Sequence, residues 1–303
     1  MTNRFLTIAL VAVLAAAIGA VDISAKTAKK DTGLRLMSFN ILRGDLNGPD
    51  HLWESRKDAC LAMLEADKPD IFGLVECNSV QRNDVLERFP QYKAVGVAVS
   101  GKTDSFPKTS SNSIFYLTEK LELEDWGTYW LSDTPEVPGS HTWYYNKPRT
   151  FTWARFNDRH GKKFVYICVH LQDNRSAIKK EYKEQEKNYG MMNRTRAVSL
   201  IKELIATKIN PEGLPMLLSG DLNTKFDSFE LQGLYENFSL AAGIAANSDK
   251  GPTFNGFQKP KWRIDHIFCS KCRVSDFVVD RQPYNGVQFI SDHWPVYIDF
   301  KLK

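Results

Sequence analysis

Six apolar runs in this 303-residue chain lead directly into side chains that can bind a metal ion or move a proton. Leu34–Phe39 runs into Asn40, and Asp70–Val75 into Glu76. Phe164–Val169 ends at His170, and Pro215–Ser219 leads into Gly220-Asp221-Leu222-Asn223. Ile264 is followed by Asp265 and His266, and Phe289–Ile290 by Ser291-Asp292-His293. Strand ends are where α/β folds place chemistry. If these ends converge, one cleft receives Glu76, Asp221, Asp265 and Asp292, the amides of Asn40 and Asn223, and the imidazoles of His170 and His293. Hard oxygen ligands of this kind suit Mg²⁺ or Mn²⁺, whereas a zinc site asks for more His or Cys. Imidazoles add acid–base capacity or a hydrogen bond to a phosphoryl oxygen. A metal, an activated water and imidazoles together describe metal-assisted phosphoester hydrolysis. No GxSxG elbow points to acyl transfer, and no GxxxxGK[ST] loop points to nucleoside triphosphates.

Elements must carry those residues to one place. Leu34–Phe39, Ile71–Val75, Ser113–Tyr116, Thr150–Phe156, Phe164–Val169, Met216–Ser219 and Ile264–Phe268 read as buried strands. Leu52–Ala66 and Met192–Thr207 have helical apolar spacing, and Ile178–Tyr189 is a charged, solvated helix or excursion. No repeat or Pro/Gly/Ser-rich linker divides the chain, so a single α/β domain is expected over 26–303. With 43% apolar and 25% charged residues the composition is globular, which excludes disordered, fibrous and multi-span membrane classes. A net charge of +4 supplies no strong bulk field toward nucleic acid or anionic membrane.

Residues 1–25 read as a secretory signal peptide, with Arg4, the apolar run Phe5–Ala20, and Ala20 or Ala25 as cleavage positions. Export to the periplasm or the medium, with no transmembrane anchor after processing, is the expectation. Cys60, Cys77 and Cys168 read as core residues, while Cys269-Ser-Lys-Cys272 is either a local disulfide or two ordinary thiols. His266 reads as a satisfied buried histidine, and His51, His141 and His160 as surface residues.

Met37-Ser-Phe-Asn40, Asp70-Ile-Phe-Gly-Leu-Val-Glu76, His170-Leu171, Gly220-Asp-Leu-Asn223, Arg263-Ile-Asp265-His-Ile-Phe268 and Ser291-Asp-His293 stand in an order that resembles the endonuclease/exonuclease/phosphatase superfamily across residues 33–300. Gly127–Glu136 and Arg149–Phe156 are similar to an exported bacterial branch related to the deadenylase-like members. The resemblance implies an α/β fold, a four-layer αββα sandwich with two mixed β-sheets packed face to face. It implies Glu76 as the main Mg²⁺ ligand (Mn²⁺ the alternative), with Asn40 beside it and Asp292 as a supporting or alternative ligand. Asp221 would orient or deprotonate the attacking water, and Asn223 would hold phosphate or nucleophile. His293 would contact the phosphate or act as base, oriented by Asp265. His170 would donate to the phosphate or to the leaving oxygen, and Arg196, or Arg194, would bind phosphate.

Two departures matter. Ser110-Ser-Asn-Ser113 lacks the carboxylate that many relatives place beside the His-Leu histidine, so the tuning of His170 is open. His170-Leu-Gln-Asp173 replaces the branch's usual His-Leu-Asp-His. The reading is therefore a metal-dependent hydrolase of phosphoester bonds, a phosphodiesterase or nuclease acting as a monomer on a phosphodiester or phosphomonoester, short nucleic acids included. The alternatives are a phospholipid-headgroup hydrolase of the sphingomyelinase type, a phosphomonoesterase, and a non-catalytic phosphate-ligand binder.

Overall fold

The computed structural model describes residues 33–45, 48–102, 109–174 and 178–303; the export signal expected over 1–25 lies outside them. In chain order the strands are β1 (Leu34–Asn40), β2 (Ile71–Cys77), β3 (Tyr92–Val95), β4 (Ser111–Leu117), β5 (Leu121–Trp130), β6 (Thr150–Asp158) and β7 (Lys163–His170). They continue with β8 (Met216–Asp221), β9 (Ser239–Leu240), β10 (Asn247–Ser248), β11 (Asp265–Ser270), β12 (Cys272–Val279) and β13 (Val296–Leu302). Helices α1 (Trp53–Asp67), α2 (Ser79–Arg88), α3 (Glu186–Leu204) and α4 (Ala241–Ile244) complete the framework.

Two mixed sheets result, ordered β10-β12-β13-β1-β2-β4-β3 and β5-β6-β7-β8-β11-β9. β1 and β2 run parallel in one, and β7 and β8 run parallel in the other. The inward faces meet through Leu36, Ile71, Phe156, Tyr166, Leu217 and Val296. Outside, Met63 of α1 and Val85 of α2 pack on Phe72 and Phe115, while Ala197 and Ile201 of α3 pack on Ile167 and Leu218. Apolar side chains on both faces of these strands force a layer on each side. This is the αββα sandwich that the sequence implied.

Close approach of the sheets has a visible local cause. A Cβ on Gly73 of β2 would meet the Tyr166 hydroxyl at 2.2 Å and the Cys168 sulfur at 2.7 Å, so glycine here admits β7. The buried Tyr166 hydroxyl is satisfied by Ser219 of β8 at 2.7 Å. The charged stretch before α3 forms a 3-10 helix over Lys180–Gln185 with no buried residue. Cys269 and Cys272 are buried free thiols, and no helix among the described residues is long and apolar enough to cross a membrane.

One carboxylate sits where the fold disfavours it. Asp67 ends α1, and its Oδ2 has no hydrogen-bond partner. Burial, with Asp280 nearby and Arg35 opposing, pushes its carboxyl up to about 7 from 3.8. The folded state thus binds the extra proton between these values, and stability falls as pH rises through that window. Asp67→Asn is expected to leave stability at about pH 3 unchanged and to raise it above pH 7 by about 1–2 kcal/mol, read from urea melts.

Candidate active site

The site forms where β1, β2, β7 and β8 end and where their antiparallel neighbours begin. Asp221 pairs with His170 on one side and with Asp265 on the other, so β7, β8 and β11 carry three titratable groups in one row. Asn40 ends β1 in the facing sheet. Asp265 therefore opens its strand rather than ending one, and His293 lies ahead of β13.

The backbone is bent to serve these side chains. Gly220 has φ +150°, and a Cβ there would lie 1.7 Å from the Val169 carbonyl oxygen, so only glycine permits the step into Asp221. Glu76 and Asn223 have φ of 61° and 53°. Left-handed backbone costs a non-glycine residue about 1–2 kcal/mol, and such strain gathers at functional sites. The Asn223 N–H donates to Asp221 Oδ1 at 2.9 Å, locking the turn. Glu76 is held by the start of α2, where Asn78 caps the Gln81 N–H at 3.0 Å and the Gln81 side chain accepts from the Asn78 N–H at 3.1 Å. Gln81 Nε2 also donates to the Leu42 carbonyl at 2.8 Å, which ties that helix to the loop after β1.

Asp221 is the centre. Its Oδ2 accepts from Asn40 Nδ2 at 3.1 Å and lies 3.5 Å from His170 Nε2 and 3.6 Å from His293 Nε2. His293 Nδ1 donates to Asp265 Oδ2 at 2.8 Å. Asn223 Nδ2 stands 3.1 Å from His170 Nε2 and donates to the Leu171 carbonyl at 3.0 Å. Glu76 Oε1 lies 4.0 Å from His170 Nδ1, and its Oε2 has a long contact with the Arg43 N–H at 3.4 Å. Asp292 takes part from the rim: its carboxylate accepts from the Ser291 hydroxyl at 3.3 Å.

Burial pushes the Asp221 carboxyl up to about 7 against the pull of His293. Burial works to lower His293, but Asp265 and Asp221 outweigh it and raise the imidazole to about 10, so it is a cation at neutral pH. His170 goes the other way: burial, then Arg149 and His293, hold it well below the usual histidine range. His266 is lowered to about 4 by burial and bonds the Thr224 carbonyl at 2.9 Å, a packing residue.

A divalent cation fits this donor set. Asp221, Asp265 and His293 offer ligand atoms within 4.8 Å of one another, and Asp265 Oδ1 is buried without a hydrogen-bond partner. Glu76 adds a carboxylate that no Lys or Arg side chain pairs with among the described residues. Concentrated, under-compensated carboxylate charge of this kind is what hard cations neutralise. His293 Nδ1 is committed to Asp265, which leaves its Nε2 as the ring nitrogen that faces Asp221.

Arg196 does not join the cluster. It bonds Asp133 at 2.6 Å, lies over the Trp143 ring at 4.8 Å, and is 44% exposed. Arg194, two positions earlier on α3, turns inward and is consumed by Glu230, Gln172 and Asn174. Arg196→Ala is accordingly expected to leave kcat/KM within about twofold of wild type, whatever the substrate. Two other arginines were not singled out by sequence. Arg56, 2% exposed, donates to the carbonyls of His51, Ile41, Leu42 and Ile290 and binds together the loops beneath Asn40 and Asp292. Arg149 places Nη1 at 2.9 and 3.1 Å from the two His170 ring nitrogens. His51, read as a surface residue, stacks on Phe257 with ring centroids 3.7 Å apart.

A cavity of about 500 Å³ opens beside Glu76, Arg149 and His170 and is lined by Ser100, Ser110, Asn112 and Lys147. Larger surface hollows lie around Lys202 and Lys271 and around Trp143 and Glu203, and neither is lined by Asn40, Glu76, His170, Asp221 or His293.

Comparison with known proteins places this geometry in context. The Endonuclease/Exonuclease/phosphatase family model matches residues 37–293. An uncharacterized protein of Acanthamoeba polyphaga mimivirus is 25% identical over 299 residues, covering 88% of this chain and 100% of that protein. A crystal structure of an endonuclease/exonuclease/phosphatase from Bacteroides vulgatus superposes with a TM-score of 0.76 at 25% identity, over 90% of this chain and 100% of that one. A mannosyl-6-phosphatase from Bacteroides thetaiotaomicron gives 0.74 at 26% identity, over 89% and 100%.

Proposed function

The chain belongs to the endonuclease/exonuclease/phosphatase family of phosphoester hydrolases, and from that premise we propose that it is a metal-dependent hydrolase of small phosphorylated molecules. The observation that carries the reading is Asp221, buried between Asn40, His170, Asn223 and His293, with His170 also lining the cavity that Glu76 and Arg149 line. A bound Mg²⁺ or Mn²⁺ would be held by Glu76 and Asn40, with Asp221 and Asp292 in support, and would supply Lewis-acid charge and a more acidic water. Asp221, with its carboxyl near 7, accepts the proton of the attacking water. Asn223 and Asn40 fix the orientation of that carboxylate. His293, charged and braced by Asp265, donates to the phosphoryl oxygens as negative charge grows there.

The cavity favours a phosphomonoester of a hydroxylated, sugar-like molecule. Its lining mixes hydroxyl and amide side chains (Ser100, Ser110, Asn112) with the cations Lys147 and Arg149 and with apolar carbon, and its volume falls in the range of small-ligand sites. The similarity to a mannosyl-6-phosphatase supports the same class. A second reading, a short phosphodiester, rests on Phe254, whose ring lies 4.9 Å from His293 and stacks at 5.7 Å on Trp262, itself 55% exposed. A base could stack on that pair. The test is turnover on hexose 6-phosphates, a dinucleotide, short single-stranded RNA and DNA, and sphingomyelin, all with Mg²⁺. Fastest turnover of a hexose phosphate supports the first reading, and preference for the dinucleotide the second. Sphingomyelin as best substrate would overturn both. Residues 1–25 are proposed as an export signal, to be checked by N-terminal sequencing of the protein recovered outside the cytoplasm.

A further inference from the structure

We propose that Arg149, rather than His170, is the side chain that meets the non-bridging oxygens of the substrate's phosphoryl group, with His170 as the positioning residue that holds its guanidinium. The inference deepens the phosphoester-hydrolase reading and rests on it for the identity of the ligand. It starts from the missing carboxylate. Ser110-Ser-Asn-Ser113 supplies no acid to His170, and Asn112 instead donates to the Thr150 carbonyl at 2.6 Å and to its hydroxyl at 3.0 Å. The neighbour of His170 is a guanidinium, with Arg149 Nη1 2.9 Å from Nδ1 and 3.1 Å from Nε2.

That exchange of sign changes what each group can do. Arg149 is always charged and only donates. Its Nη1 lies within hydrogen-bond distance of the His170 ring, which packs the guanidinium against the row of strand ends. Its backbone is fixed by pairing of its carbonyl with the Leu131 N–H at 2.8 Å. Its Nε reaches Gln172 Oε1 at 3.3 Å and its Nη2 reaches Asp173 Oδ2 at 3.4 Å, contacts long enough to leave the fork able to take a stronger acceptor. The guanidinium lines the cavity together with Glu76 and His170, and planar forks of this kind bind phosphoryl oxygens in pairs. A phosphomonoester, with more non-bridging charge than a diester, gains most from such a contact.

The test uses the full mature protein with Arg149→Ala, Arg149→Lys, His170→Asn and the double variant Arg149→Ala/His170→Asn. Binding of inorganic phosphate is measured by calorimetry with and without Mg²⁺, and turnover on p-nitrophenyl phosphate and bis(p-nitrophenyl) phosphate with Mg²⁺. Arg149→Ala should weaken phosphate binding by about 30-fold or more and cut monoester kcat/KM by about 10²-fold, the diester losing less. Low millimolar guanidinium should restore part of the loss. His170→Asn should cost about tenfold or less, and the double variant should be no worse than Arg149→Ala. Should Arg149→Ala fail to fold, Arg149→Lys carries the comparison, retaining charge but losing paired donation. The proposal is overturned if Arg149→Ala binds phosphate like wild type, if His170→Asn alone abolishes binding, or if the wild-type protein binds no phosphate. A wild type that binds phosphate through Arg149 yet hydrolyses neither ester would sink the proposed function and leave this inference standing.

Discussion

Replacing Asp221 with Asn is expected to lower kcat by about 10³-fold or more with KM changed by no more than about threefold. The substitution keeps the shape and one acceptor oxygen, so the hydrogen bond from the Asn223 N–H can persist while the one from Asn40 Nδ2 is lost. What disappears is the group that can take a proton from water and the anion that faces His293 at 3.6 Å. Since both losses fall on the transition state, ground-state binding should be spared. Loss of the Asn40 bond is offset at higher pH, where a buried carboxyl raised to about 7 destabilises the fold and the amide that replaces it carries no such charge. A thermal melt run beside the assay separates the two effects. Turnover unchanged in Asp221→Asn would remove Asp221 from the mechanism.

The second large effect is assigned to Asp265. Its Oδ2 accepts from His293 Nδ1 at 2.8 Å, and with Asp221 it keeps that imidazole protonated against a burial that works the other way. Asp265→Asn is expected to lower kcat by about 10²–10⁴-fold, because an amide stabilises neither the ring's orientation nor its charge. The pKa of His293 should fall toward the ordinary range. A two-dimensional NMR titration of the histidine rings would show it as a resonance that moves from beyond pH 9 into the range around neutrality. A ring that stays charged to high pH in Asp265→Asn would contradict the assignment.

These residues were legible for a plain reason. Asn40, Glu76, His170 and Asp221 each close an apolar run that must be a buried strand, so a polar group there stands out against its neighbours. Arg149 was not legible by that rule, because it precedes its strand. β6 runs antiparallel to β7 with Phe151 opposite Val169, which brings the start of β6 to the same edge as the end of β7. Register, a property of two segments together, decides which end of a strand reaches the site. Arg196 illustrates the same limit on a helix. The buried face of α3 carries Arg194, Ala197, Val198 and Ile201, and a residue two positions from Arg194 points well away from that face. α2 escaped notice because its polar sequence packs little more than Gln81 and Val85; its capping box was readable only as Asn78 with Gln81. The sandwich itself was implied by the ordered blocks, and the strands between them follow from apolar runs bounded by turns.

The proposed reaction is phosphoester hydrolysis with a divalent cation held by Glu76 and Asn40, Asp221 in support. The direct measurement is the rate of phosphoester cleavage by the wild-type protein dialysed against EDTA, then supplied with Mg²⁺ or Mn²⁺, with Glu76→Gln in parallel. The rate should fall to background in EDTA, recover on adding either ion, and not recover in Glu76→Gln. An undiminished rate in EDTA would contradict a metal-dependent reaction.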